Sequence, residues 1–334
     1  MDPFTQGLLG ATAVANIRTS NTSRGTAIAM GFLAGMAADL DVLIRSSGDP
    51  LLFLEYHRQF THSLIFIPLG GIICGLVLHA LFARRKGISR WPSILYCTLG
   101  YATHALLDAC TSYGTQLYWP FSNERVAWDI ISIIDPLYTL PIAALLLLGM
   151  KAQRRWAAHL ALAWMLAYPS LGWWQHQRAE TAGYQLAASR GHQVLSLAAK
   201  PSFANILLWK VIYRSPDHYY VDAIRVGQNI TVFAGTSIDA LDINKDLPWL
   251  LANSQQAMDI ERFRWFSQDF IALSADSPHR IIDFRYSLLP NETDALWSIE
   301  LSPDSPNQHV KYQTHRSNGS SKIKELWRML RNES

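Results

Sequence analysis

The sequence contains few charged residues and very few cysteines. Charged side chains make up 16% of its 334 residues, and the formal net charge is only +3. So small an excess of positive charge does not favour nucleic acid as a main partner, and we expect none. The three cysteines, Cys74, Cys97 and Cys110, form no CxxC spacing and no disulfide framework. All three lie in apolar segments, which indicates buried, inert thiols.

The sequence shows no recognisable secretory signal and no internal repeat. The opening residues, MDPFTQGLLG, contain an acid and no basic residue, so they do not resemble a secretory signal. The mean hydropathy of +0.05 is an average over two regions of different composition. Residues 1–174 are mostly apolar runs, whereas residues 175–334 have the composition of a soluble domain. We therefore expect membrane attachment to come from internal segments.

Four apolar segments are long enough to cross a bilayer, which takes about 20 helical residues. They are Ser63–Ala83, Pro92–Cys110, Ile130–Met150 and Trp156–Trp174. Two shorter segments, Gly7–Ile17 and Ala27–Ala38, are equally consistent with a membrane hairpin and with core helices. Basic residues follow the first and third spans, and the positive-inside rule places both basic loops in the cytoplasm. The sequence thus predicts a membrane α-helical bundle over residues 1–174.

The remainder, residues 175–334, predicts a small soluble α+β domain. Runs of β-branched and aromatic residues are separated by turn signals such as Ser215-Pro216-Asp217 and Gly227-Gln228-Asn229, which is typical of an antiparallel sheet. The stretch Ser302–Ser321 is rich in Ser, Pro, Asn and Gln, so we expect it to be mobile. The predicted topology places this domain on the outer side of the membrane.

Histidine and aspartate interrupt the apolar segments at a few positions. His104 and Asp108 lie one turn apart on one face of an apolar helix, where both are costly to bury without a partner. Four further candidates lie upstream: Asp39, Asp41, His57 and His62. The predicted topology places all six on the outer side. Imidazole nitrogen and carboxylate oxygen are typical ligands of zinc, so the sequence predicts a site for one or two divalent metal ions.

Three other polar residues are candidates for roles beside the metal. Arg58 and Arg125 have the charge to hold an anionic phosphate or carboxylate, although each is also consistent with an ordinary surface arginine. Asp135 precedes Pro136, and two roles are open for it. It either fixes a histidine tautomer as a hydrogen-bond acceptor or caps the following helix.

Several motifs together resemble a known family. They are MDPFTQGLLG, Asp39-Leu40-Asp41, HRQFTHS, THALLD, and SYGTQLYWPFS followed by IIDPLYTLP. This combination resembles the bacterial inner-membrane metal-dependent hydrolases that are described as LexA-binding and inner-membrane-associated. Many members have histidine where this chain has Gln6, which argues against a ligand role for that residue. A contact with LexA, which the description implies, does not fit a domain outside the cytoplasm.

The resemblance implies a protein of the bacterial inner membrane, and the predicted multi-pass topology then places its site and C-terminal domain in the periplasm. Its expected activity is metal-dependent hydrolysis by an activated water. A similarity of the turn from His104 to Asp108 to helical zinc phosphoesterases implies a phosphoester or a lipid-linked envelope precursor as substrate. The expected partners are therefore the lipid bilayer and a phosphorylated or lipid-linked substrate. The alternative is a non-catalytic membrane anchor that contains a structural metal or a polar cluster.

Reporter fusions test the predicted sidedness. An alkaline phosphatase fused after Met150 should be inactive, because the positive-inside rule places that position in the cytoplasm. The same enzyme fused after Ser334 should be active. A fluorescent protein that matures only in the cytoplasm should give the opposite signals at the two positions. Equal signals at both positions would contradict the topology.

Overall fold

The structure, a computed structural model, describes residues 1–17, 24–151, 154–315 and 319–333. The chain divides into two units. The first comprises Met1–Leu43, Tyr56–Trp173 and Phe203–Asn205, and the second comprises Ile44–Glu55, Trp174–Ser202 and Ile206–Ser334. The sequence-based division at residue 174 assigned residues 44–55 to the first domain, whereas in the structure they pack with the second unit.

The N-terminal part of the chain is helical. Its helices are α1 (Pro3–Ala15), α2 (Arg24–Met36), α3 (Leu52–Tyr56), α4 (Ile67–Leu78), α5 (Arg90–Ala109), α6 (Pro136–Lys151) and α7 (Arg155–Ser189). A 3-10 turn over Ala37–Leu43 continues α2. Helix α1 begins at Pro3 because Asp2 caps it, with the carboxylate accepting a hydrogen bond from the backbone N–H of Thr5.

Two helical stretches of the described residues are long and apolar enough to cross a membrane. They are Arg24–Leu43 and Leu64–Lys86, and Pro136–Lys151 is apolar but shorter. Helix α6 thus begins later than the predicted Ile130, because residues 130–135 form a loop before Pro136. Helix α7 continues past the predicted Trp174 to Ser189.

Helices α1, α2 and α5 pack together at glycine residues. A Cβ atom added to Gly31 of α2 would lie 2.5 Å from the carbonyl oxygen of Gly10 in α1. One added to Gly100 of α5 would lie 2.3 Å from the carbonyl oxygen of Gly31. The three backbones therefore touch, as small residues allow in helix packing. This seam brings the C-terminal end of α2 next to the last turns of α5.

The second unit contains two four-stranded antiparallel sheets. The strands of the first sheet are, in spatial order, β1 (Ser196–Pro201), β2 (Leu208–Arg214), β3 (His218–Val226) and β4 (Ile230–Asp239). Those of the second are, in spatial order, β5 (Ile271–Ser274), β6 (Ser277–Asp283), β7 (Trp297–Glu300) and β8 (Lys311–Thr314). Its further helices are α8 (Ile243–Asp246), α9 (Gln255–Phe266) and α10 (Ser320–Arg331). The predicted antiparallel pairing is confirmed, although in two sheets. Buried Ile212 and Val221 of the first sheet pack with Ala272 of the second.

Strand β8 lies within the stretch Ser302–Ser321 that the composition predicted to be mobile. The side chain of Val310 is buried, and the ring of Tyr312 lies 5.1 Å from that of Phe53, centroid to centroid. These apolar contacts anchor a strand inside a polar stretch. Residues 316–318 of the same stretch lie outside the described residues.

Replacing Gly31 by alanine should destabilise the protein by about 1–3 kcal/mol, because the added Cβ would overlap the carbonyl group of Gly10. Gly25 lies on the same helix with nothing within 4 Å of an added Cβ, so Gly25→Ala is a matched control. Thermal unfolding of the full chain in detergent should show a lower Tm for Gly31→Ala alone. A Tm equal to that of the wild type would contradict the close approach of the helices.

Candidate metal centre

Three segments of the first unit bring the six predicted ligands together. Two of the residues lie on the 3-10 turn after α2, two on the segment between α3 and α4, where His62 ends a short 3-10 turn, and two on the last turns of α5. They are Asp39, Asp41, His57, His62, His104 and Asp108. The hydroxyl group of Tyr101 donates a hydrogen bond to the carbonyl oxygen of Thr61 at 2.7 Å, which fixes the loop to α5. Residues from distant parts of the sequence thus share one place in the fold.

Four donor atoms face one another in the centre of this group. They are Nε2 of His62, Nε2 of His104, Oδ1 of Asp39 and Oδ2 of Asp108. Each imidazole nitrogen lies 3.4 Å from the Asp39 oxygen, and the Asp108 oxygen lies 3.2 Å from His62 and 3.4 Å from His104. Ligands about 2.0–2.1 Å from a tetrahedral zinc ion lie about 3.3 Å from each other. The spacing of these donors is close to that value.

Hydrogen bonds to the other ring nitrogens determine which tautomer each histidine adopts. Nδ1 of His104 lies 2.6 Å from the carbonyl oxygen of Gly35, which only accepts, so Nδ1 carries the hydrogen. Nδ1 of His62 lies 2.9 Å from the hydroxyl oxygen of Thr61. Thr61 donates its own hydrogen to Asp41 at 2.6 Å, so it accepts from His62. In the neutral form both Nε2 atoms therefore present lone pairs to the centre.

The two Nε2 atoms are only 2.9 Å apart. Two lone pairs at that distance repel each other unless a proton or a cation lies between them. Burial alone would lower the pKa of His62, but hydrogen bonds with Asp108, Asp39 and Asp41 outweigh burial and raise this pKa to about 10. A shared proton would satisfy the two nitrogens, whereas a divalent cation would engage all four donors. The residues present therefore fit a divalent metal ion.

Contacts with one oxygen of the Asp108 carboxylate orient the other oxygen toward the centre. Its Oδ1 accepts a hydrogen bond from Nε2 of Gln6 at 2.7 Å and contacts the amino group of Met1. Its Oδ2 is buried and faces the two imidazoles, and it lies 3.2 Å from Nε of Arg58 without hydrogen-bond geometry. A buried carboxylate oxygen is costly without positive charge beside it, and Arg58 supplies part of that charge. Gln6 thus holds a candidate ligand in place without being one of the four donors.

A second group of donors consists of Asp39, Asp41 and His57. Oδ1 of Asp41 lies 2.7 Å from Nδ1 of His57, and its Oδ2 accepts from the backbone N–H of Arg58 at 3.0 Å. Burial lowers the pKa of His57 despite its bond with Asp41. Asp39 belongs to both groups, so its carboxylate would be available to an ion in either of them. The side chains of Asp39 and His57 are 17% and 18% exposed, which makes this the solvent-facing side of the centre.

Arg58 lies inside the cluster, and Arg125 lies beside it. Nε of Arg58 is 3.2 Å from Oδ2 of Asp108, and its Cζ is 4.6 Å from the ring centroid of Tyr113. Cζ of Arg125 is 5.6 Å from the same ring, and its guanidinium donates to the carbonyl oxygen of Gly114 at 2.8 Å. Tyr113 thus connects the two predicted anion-holding arginines.

Asp135 lies at the start of α6, where its Oδ1 accepts from the backbone N–H of Leu137 at 3.1 Å. Its Oδ2 accepts from the hydroxyl group of Tyr168 at 2.8 Å. These contacts are those of a helix cap, one of the two roles that the sequence left open.

The sequence did not single out the groups that orient the ligands. Thr61 lies inside the motif HRQFTHS, where its position between two histidines was the only available signal. Gly35 acts through its backbone carbonyl group, which no side-chain pattern reveals.

The profile of the family described as YdjM inner membrane protein matches residues 1–179, more than half of the chain. The chain belongs to the YdjM inner membrane protein family. This match confirms the resemblance read from the motifs, and it assigns the protein to the inner membrane. The matched residues of the YdjM family include every donor of the candidate metal centre.

Two relatives of this chain support the same assignment. Inner membrane protein YbcI of Escherichia coli (strain K12) is 33% identical over 108 residues, which are 31% of this chain and 60% of YbcI. The uncharacterized protein YfhP of Bacillus subtilis (strain 168) is 28% identical over 118 residues, which are 35% of each chain. The chain therefore spans less than two thirds of the length of either relative. No solved structure matches it.

Replacing His104 by alanine should remove the ion held by the four converging donors, because it takes away one of them, so the metal content should fall by about one ion per chain. Wild-type protein purified in detergent should contain about one or two divalent ions per chain by elemental analysis. His79→Ala is the matched control, since Nδ1 of His79 pairs with Ser93 at 3.2 Å, in another part of the first unit. A wild type without bound metal, or a His104→Ala variant with the wild-type content, would rule out the centre.

Proposed function

We propose that this protein is a membrane-embedded, metal-dependent hydrolase. Its first ion would be held by His62, His104 and Asp108, with Asp39 on the solvent-facing side. The observation that supports this proposal is the 2.9 Å approach of two Nε2 atoms whose partner nitrogens are both engaged as donors. Zinc suits this set of imidazole and carboxylate donors. A second ion would be held by Asp39, Asp41 and His57.

A divalent ion in this place would polarise a substrate oxygen and lower the pKa of a coordinated water to about 7. The chain supplies the remaining functions. Asp41 keeps Nδ1 of His57 engaged, so Nε2 is the nitrogen of His57 that is available to an ion or a proton. Arg58 and Arg125, joined through Tyr113, supply positive charge for an anionic substrate.

The proposed substrate is a phosphoester, either of a lipid head group or of a lipid-linked envelope precursor. Membership of an inner membrane family supports this choice, because such a substrate lies at the bilayer surface. We also propose a multi-pass topology with the metal centre and the second unit in the periplasm. The support is the distribution of basic loops, which puts all six candidate ligands on one side.

A structural metal is the second candidate. The side chains of His62, His104 and Asp108 are fully buried, and Asp39 offers a fourth donor. Structural zinc sites are closed by four protein ligands, whereas catalytic sites keep one position open to water. In that case the protein would be a membrane anchor whose metal fixes α2, α5 and the loop between them.

Metal removal distinguishes the two functions. Treatment of the full chain with a chelator should abolish hydrolysis of aryl phosphomonoesters, phosphodiesters or a lipid-linked phosphate, and added zinc should restore it. The physical reason is the loss of the activated water. If chelation lowers the Tm strongly and none of these substrates is hydrolysed by the metal-loaded protein, the metal is structural. Full hydrolytic activity in His104→Ala would contradict the proposed centre directly.

A further inference from the structure

Residues 44–55 separate two groups of candidate ligands in the sequence. Asp39 and Asp41 precede the segment, and His57 follows it after Tyr56. The ligands belong to the first unit, whereas residues 44–55 pack within the second. The backbone therefore joins this segment directly to candidate ligands on both of its sides.

Arg262 of helix α9 binds this segment at two points. Its guanidinium forms two parallel bonds with the carboxylate of Asp49, with NH1 to Oδ1 at 3.0 Å and NH2 to Oδ2 at 2.8 Å. Its Nε donates to Glu55 at 2.5 Å. A guanidinium forms such a fork with fixed geometry, which an ammonium group does not reproduce. One side chain thus fixes both the middle and the end of the segment.

The arginine is itself held in place from within α9. Its NH1 also donates at 2.9 Å to Oδ1 of Asp259, whose side chain is fully buried. His309 and the backbone N–H of Val310 bind the other oxygen of Asp259, at 2.9 Å and 3.1 Å. The side chain of Arg262 is 21% exposed. Removing it would leave three neighbouring carboxylates without their shared cation, so they would repel one another.

We propose that Arg262 is a positioning residue for the metal centre. It fixes residues 44–55 through Asp49 and Glu55, and the segment in turn sets the placement of Asp39 and Asp41 upstream and of His57 downstream. The proposal rests on the proposed metal-dependent function and assigns a role in it to the second unit. A simpler arrangement competes with it. Asp41 binds His57 and the backbone N–H of Arg58, and these two bonds alone would then hold the residues on either side of the segment in place without Arg262.

The test compares metal binding by four full-length proteins in detergent: the wild type, Arg262→Ala, Arg262→Lys and Arg264→Ala. Arg264 is the matched control, since it lies on the same helix and pairs with Asp269 and Glu261. Zinc affinity is measured by competition with a chelating dye. Cobalt substitution reports the ligand geometry through its visible absorption. Arg262→Ala should bind zinc about 10-fold or more weakly, with an altered cobalt spectrum.

Arg262→Lys should recover part of the affinity, because it keeps the charge but not the fork. Arg264→Ala should match the wild type. If Arg262→Ala does not fold, the double variant Asp49→Asn with Glu55→Gln removes the same two contacts and should show the same loss. Wild-type affinity and an unchanged cobalt spectrum in Arg262→Ala, or in that double variant, would overturn the proposal. An equal loss in Arg264→Ala would overturn it too.

Hydrogen exchange separates failure of this inference from failure of the proposed function. If the wild type binds neither zinc nor cobalt, the proposed function is wrong. The rate of hydrogen exchange at the backbone amides of residues 37–43 and 56–62 then shows, without any metal, whether Arg262 stabilises the residues on both sides of the segment. Faster exchange in Arg262→Ala, but not in Arg264→Ala, would support the role of Arg262. Unchanged exchange at both flanks would overturn it.

Discussion

Two imidazole nitrogens that face each other at 2.9 Å impose the main constraint on the first unit. The arrangement persists only if the second nitrogen of each ring is also held: the carbonyl group of Gly35 holds His104, and Thr61, itself bound to Asp41, holds His62. The carbonyl group of Gly35 that holds His104 lies at the end of α2. A Cβ atom on Gly35 would lie 2.6 Å from the carbonyl oxygen of Gln6, so the backbones of α1 and α2 touch there. Gly35 therefore serves both the close packing of α1 on α2 and the orientation of His104.

The ligands themselves could be predicted from the sequence. His104 and Asp108 are conspicuous because a helical period places them together in an apolar segment, where each is costly to bury alone. The same reasoning pointed to Asp39 and His62, although their mutual approach depends on how three chain segments pack. The sequence pattern does not give the distances between donors on separate segments.

Other features could not be read from local patterns. Residues 263–273 are rich in aromatic side chains, a composition typical of strands, yet helix α9 extends through Phe266 and strand β5 begins only at Ile271. Asp49, within residues 44–55, is bound by Arg262, a partner more than two hundred positions away along the chain. Long-range ion pairs of this kind leave no periodic signal in the sequence.

The origin of the four central donors also bears on how the protein matures. One donor comes from the turn after α2, one from the loop before α4, and two from the end of α5. During synthesis, a nascent chain that ends before Asp108 holds at most three of them. An ion held by all four donors would therefore be captured only once α5 is complete.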